Sequence, residues 1–372
     1  MRKSFRRYPK YALGLFVFIF ALSLINWVDN GVLHKRRGIE AKITEETIAL
    51  DKDNPQIKKV IAIQNRHTPK LMAIPEVVGT ATGINEAGGP SILVFTKKQV
   101  KAGKIPDKLE GMPVSVKITG EFVAMKPPKG GGNPADPTSR FKRPVPIGVS
   151  TGNIGECSAG TIGARVTDGT NVYALSNNHV YALENYASSE SEVLQPGRYE
   201  GYDRKTNVCP ANDEDVIGTL YAFQIIDFTP LPPYHNYIDA AIALSSTEAL
   251  GNSTPENGYG TPGSSTVDAV VGQAVQKYGR TTSLTKGTIT GINATILVHY
   301  DNIFMAGFEN QIIVESNKPF IKAGDSGSLL VTDDSDCSPV GLLFAGDATG
   351  KLAVANPINL VLEKFDVEID GK

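Results

Sequence analysis

Gly324-Asp325-Ser326-Gly327-Ser328 sets a serine between glycines, directly before the apolar run Leu329-Leu330-Val331. A serine acts as a nucleophile when its hydroxyl stands on a tight turn and backbone N–H groups face the developing oxyanion. Glycine permits such a turn because it takes positive φ without a Cβ clash. Chance gives Gly-Asp-Ser-Gly in roughly one chain in a hundred of this size, so the motif needs a base and an acid to carry weight. The base candidate is His179 in Ser176-Asn177-Asn178-His179-Val180. The acid candidate is Asp239, at the head of the apolar run Ala240-Ala241-Ile242-Ala243-Leu244. A carboxylate entering such a run needs a buried partner, and an imidazole N–H would serve.

Rigid strands must position these groups. Gly160 to Val166 reads as a strand, Asp168-Gly169 as a hairpin turn, and Val172 to Leu175 as the return that delivers His179 at its end. From about 150 to 372 short apolar segments alternate with Gly, Asn, Asp and Pro turns, the pattern of an all-β sandwich or barrel. Asn356-Pro357 then opens a C-terminal helix. Upstream, 126–149 is rich in proline around the triple glycine 130–132 and reads as a linker. Residues 40–125 read as a small α/β domain. Asn54-Pro55 starts its helix, and strands follow at Val77 to Gly83, Ser91 to Thr96, Pro113 to Ile118 and Glu121 to Met125.

His179, Asp239 and Ser326 occur in the chain order of chymotrypsin-type enzymes. On the three motifs quoted, the sequence resembles the trypsin-like (chymotrypsin-fold) serine peptidases, and within them a bacterial and plant branch similar to the plant NARROW LEAF protein. Lys277-Tyr278-Gly279-Arg280-Thr281-Thr282 resembles the opening of the second barrel in bacterial relatives. Val340-Gly341-Leu342-Leu343-Phe344-Ala345-Gly346 resembles the strand that follows the serine and lines the specificity pocket.

The resemblance covers about residues 145–366. It implies a double β-barrel with the site between barrels: Ser326 as nucleophile, His179 as base, Asp239 as orienting acid, and the N–H groups of Gly324 and Ser326 as oxyanion hole. Phe320, Ala345 and Gly346 would line the specificity pocket. In relatives activated by cleavage, the residue matching Asp325 pairs with a freed amino terminus. No activation site is evident here, which implies either no activation step or a different partner for Asp325, with Lys322 and Arg280 as candidates. Asn178 replaces the small apolar residue that many relatives carry before the histidine. An occluded peptidase-fold scaffold is the alternative function, and an esterase a lesser one.

The 372 residues carry a net charge of −2, which gives no reason to expect a nucleic-acid partner. Peptides or proteins are the expected substrates, and a homo-oligomer is compatible with the sequence. No Cys/His metal spacing occurs, and neither metal nor cofactor is expected. Cys157, Cys209 and Cys337 allow one disulfide plus one free thiol, or three buried thiols, and spacing does not choose.

Arg2, Lys3, Arg6, Arg7 and Lys10 precede an uncharged run from Tyr11 to Val28. Residues 1–30 are therefore expected to be a signal anchor, or a signal peptide if cleaved. The body is expected to be exported and membrane-tethered, or secreted if the segment is removed.

Overall fold

The computed structural model describes residues 52–85, 87–124, 136–300 and 304–372. The expected anchor at 1–30 lies outside the described residues, as do 126–135 of the expected linker. Among the described residues no helix is long and apolar enough to cross a membrane.

Helix α1 spans Pro55–Met72, with Asn54 Oδ1 accepting from Gln56 N–H and Pro55 at its first turn. One face buries Ile57, Val60, Ile63, Leu71 and Met72. Strands β1 (Val77–Ile84) and β2 (Pro90–Thr96) form a hairpin. The short β3 (Lys108–Leu109) leads into β4 (Met112–Ile118), which runs parallel to β2. β5 is a three-residue strand, Phe122–Ala124.

The next strands build an eight-stranded sheet: β6 (Ser150–Asn153), β7 (Gly160–Thr161), β8 (Ala164–Thr167), β9 (Val172–Ser176), β10 (Glu192–Leu194), β11 (Val216–Phe223) and β12 (Ala241–Ser245), joined by the C-terminal β19 (Glu368–Ile369). The β8–β9 turn forms at the expected place, because Asp168 Oδ1 accepts from the N–H groups of Thr170 and Asn171. Residues 136–149 pack rather than dangle. Val145, Ile147 and Val149, spaced by two, are buried in this sheet's core.

The remaining strands are β13 (Ala274–Gly279), β14 (Ser283–Tyr300), β15 (Phe304–Glu315), β16 (Leu329–Thr332), β17 (Pro339–Gly346) and β18 (Leu352–Pro357). Their pairings run β13–β14–β15–β18–β17–β16 and back to β13, so six strands close on themselves. Val275, Ile289, Val314, Phe320, Leu330 and Leu343 fill that interior. Helix α3 (Ile358–Phe365) follows β18, as the Asn356-Pro357 signal requires.

β14 pairs with β15 along one edge and, at residues 283–288 of the other, with β13. Its second half pairs with β1, Gly83 opposite Gly291 and Gly79 opposite Ile296, so residues 77–118 extend the same sheet. Gln64 of α1 fixes this join: its Nε2 donates to Asn293 O at 2.9 Å and its Oε1 accepts from Thr82 at 2.7 Å. The chain is mostly β. All described residues fall in one compact unit, 48–372.

Candidate active site

β9 ends at Ser176, and a single helical turn, α2 (Asn178–Tyr181), carries His179. Asn178 has a structural task. Its side chain donates to Asn185 Oδ1 and Gln224 O and accepts from Asn185 N–H, which clamps the loop after His179 to the end of β11. Asp239 sits just before β12, which pairs with β9, so the two strands bring histidine and aspartate together.

His179 Nδ1 lies 2.6 Å from Asp239 Oδ2, with both side chains buried. Asp239 Oδ1 accepts from the His179 backbone N–H at 3.2 Å. Tyr300, at the end of β14, donates its hydroxyl to Asp239 Oδ2 at 2.9 Å. Burial, then the neighbouring carboxylate, pushes the Tyr300 phenol well above its ordinary value, so it remains a donor. Asn356 and Asn177 hold the Asp239 backbone: Asp239 N–H donates to Asn356 Oδ1 at 3.0 Å, and Asn177 Nδ2 donates to Asp239 O at 2.7 Å. Buried charge in this setting is supported by several charge-assisted hydrogen bonds.

Ser326 lies in the turn between Gly324, at φ +97°, and Gly327, at φ +92°. Both positions lie in the left-handed region that favours glycine. A Cβ on Gly327 would fall 2.2 Å from Ser176 Oγ, and one on Gly324 would fall 2.8 Å from Arg280 Nη1. Among the described residues, the N–H groups of Gly324 and Ser326 have no hydrogen-bond acceptor. The Ser326 hydroxyl donates to Phe344 O at 3.1 Å.

Thr161 of β7 joins the serine turn to the histidine strand. Its N–H donates to Ser326 O and its hydroxyl to Gly324 O, both at 2.8 Å, while its carbonyl accepts from Ser176 Oγ at 2.8 Å. Ser176 lies three positions before His179, so one threonine references both loops.

Asp325 finds its partner in Lys277. Lys277 Nζ stands 3.7 Å from Asp325 Oδ2 and donates to Thr282 Oγ1 and Ser283 O. The Asp325 carboxylate also accepts from the backbone N–H groups of Thr281, Thr282 and Lys322. Of the two expected candidates, Lys322 contributes through its backbone, and Arg280 is committed elsewhere. Arg280 Nε and Nη2 bind Glu200 Oε1 and Oε2 at 2.6 and 2.7 Å, in a bidentate, buried pair. Glu200 also accepts from Ser150 at 2.6 Å. In its turn, residues 198–201, Arg198 donates to Cys209 O, and the Cys157–Cys209 disulfide resolves the cysteine pairing and leaves Cys337 as a buried thiol.

Phe320 is buried in the closed ring, with the Lys277 ammonium 5.9 Å from its ring centroid. Ala345 and Gly346 lie on β17 just past the Ser326 acceptor and pair with β5. Sequence reasoning missed Tyr300, Thr161 and the specific place of Lys277. The last lay in a quoted motif, but its meeting with Asp325 depends on strand pairing that the motif does not report.

Residues 261–367 match the family profile of the Nal1 C-terminal domain, which fits the comparison with the plant NARROW LEAF protein. Several solved bacterial serine proteases are similar. A glutamic acid specific serine protease is 21% identical, over 60% of this chain and 100% of its own, with a TM-score of 0.42. Thermobifida fusca protease A is 17% identical, over 61% and 99%, at 0.41. Cellulomonas bogoriensis chymotrypsin is 18% identical, over 61% and 99%, at 0.39. A sequence search of curated proteins gave no match.

Proposed function

We propose that this protein is a serine endopeptidase of the chymotrypsin double-barrel type. The observation that carries the reading is the buried 2.6 Å contact between His179 Nδ1 and Asp239 Oδ2. It ties one ring nitrogen to a carboxylate, and in this reading Nε2 is the base. Ser326 Oγ leaves the Phe344 carbonyl, passes its proton to His179 Nε2 and attacks the scissile carbonyl. Gly324 and Ser326 N–H groups receive the oxyanion, a setting in which one donor is worth about 3 kcal/mol. His179 then protonates the leaving amine, and water activated at the same nitrogen hydrolyses the acyl-enzyme.

Peptides or proteins are the substrates in this reading. The basic, then apolar, amino-terminal sequence supports an exported body held at a membrane through residues 1–30. Alkaline extraction of membranes tests that part, since release of the intact chain would defeat the anchor. For the chemistry, the test is covalent labelling of Ser326 by a fluorophosphonate, expected in the wild type and lost in Ser326→Ala. A wild-type chain that neither labels nor cleaves unfolded protein defeats the proposal. The alternative, an occluded peptidase-fold binding protein, draws support from the strand already lying beside Ser326.

A further inference from the structure

The edge of β17 that leads away from Ser326 is filled by the chain itself. A strand has two hydrogen-bonding edges, and β18 takes one of them along β17, with Ala345 opposite Val354 and Gly346 opposite Ala353. The other edge carries β16 as far as Leu342. Next comes the serine turn, where Gly327 N–H donates to Leu343 O at 2.8 Å and Leu343 N–H to Ser328 O at 3.0 Å. Phe344, the acceptor of the Ser326 hydroxyl, follows. At the next two residues β5 takes over, antiparallel, with Ala124 opposite Ala345 and Val123 opposite Gly346.

An extended peptide that presents a carbonyl to Ser326 from this side would add to the same edge through backbone hydrogen bonds. β5 holds that place and runs in the same sense, with Ala124 nearer the serine than Val123. It is not loosely laid there. Phe122 is fully buried, edge-on to Phe95 at 5.8 Å, and β5 also pairs with β14, Phe122 opposite Val298 and Val123 opposite His299. A tethered segment acts at an effective concentration of about millimolar or above, which matches or exceeds the usual KM range of about 1 μM to 1 mM. Free peptide therefore loses the competition for the edge.

We propose that residues 122–124 are an intramolecular occupant of the substrate-strand position, and that extended peptides reach Ser326 only when β5 leaves β17. This rests on the serine-peptidase reading. Two rates on the full chain separate the two ideas: fluorophosphonate labelling, which needs no extended edge, and hydrolysis of an unstructured ten-residue peptide mixture. Val123→Pro, which removes a strand N–H and disfavours pairing, should raise peptide hydrolysis about 10-fold or more while labelling changes far less. Val123→Cys with His299→Cys, opposite each other on β5 and β14, should lock the strand once oxidised, suppressing peptide hydrolysis while labelling persists. The inference is overturned if the locked chain hydrolyses peptide at the wild-type rate, or if Val123→Pro labels normally without gaining hydrolysis. If the wild type never labels, the serine-peptidase reading falls, and this inference with it.

Discussion

Lys277 Nζ stands 3.7 Å from Asp325 Oδ2 with both side chains fully buried. The residue beside Ser326 thus has its countercharge inside the folded chain, on a strand two residues before the Gly279 turn. Burial lowers the Lys277 ammonium from its ordinary value, against the opposing pull of Asp325. The lysine is held by geometry rather than by solvent.

Removing one member of a buried pair leaves the other uncompensated, at a cost of about 3–5 kcal/mol. Lys277→Ala should therefore lower stability by that amount in urea denaturation. It should also abolish labelling of Ser326 at temperatures where the chain is still folded, because Asp325 no longer fixes the serine turn. Normal labelling by a folded Lys277→Ala chain would show that the turn does not depend on this pair.

Tyr300→Phe removes one donor from a buried carboxylate and leaves its ring in place. A hydrogen bond to a charged group contributes about 1.5–3 kcal/mol, so stability should drop by that amount. Misplacement of the His179–Asp239 pair should slow labelling by roughly 10–100-fold. A variant with wild-type stability and labelling would make the 2.9 Å contact inconsequential.

Gly324→Ala meets two obstacles at once. The position requires φ +97°, and the added methyl would lie 2.6 Å from Thr281 Oγ1 and 2.8 Å from Arg280 Nη1. The turn must shift, and with it the Gly324 N–H. The expected loss in acylation rate is about 10²–10³-fold, with a stability cost of about 1–3 kcal/mol. Stopped-flow labelling that stays within a few-fold of wild type would remove Gly324 from the oxyanion site.

Acid should loosen α1 from the β3–β4 turn. Glu110 accepts from Arg66 Nε and Nη2 at 3.0 and 2.6 Å, and its Oε1 lies 3.0 Å from His67 Nε2. The guanidinium first, then the imidazole, pulls the Glu110 carboxyl down to about 2. Its folded value is below the unfolded value of about 4.3. The contribution is therefore present above that pH and is lost as pH falls toward 2. The pair is solvent-exposed, so the effect is small. Glu110→Gln should flatten the fall of Tm between pH 4.5 and 2, and parallel wild-type and variant curves would contradict the assignment.

The serine turn, the histidine and the acid were legible because each is a short motif whose residue types are demanded by local chemistry. Their neighbours were not. Tyr300 reaches Asp239 only because β14 runs eighteen residues before turning, and no local pattern reports that length. Lys277 meets Asp325 through pairing between β13 and β16, a register set by packing. The strands β1 and β2 were readable from their own residues, but those residues do not name the strand next door. Proline-rich composition masked Val145, Ile147 and Val149, whose spacing of two marks an extended segment with one buried face.

The join between β1 and β14 has a practical corollary. A fragment trimmed to start near residue 136 would keep every motif of the triad and lose the cover over residues 291–296 of β14. That run would then present bare backbone donors and acceptors along an apolar ribbon, a template for pairing with other copies. Recombinant fragments of that kind should precipitate or form chains of molecules, so soluble preparations need the residues that look dispensable.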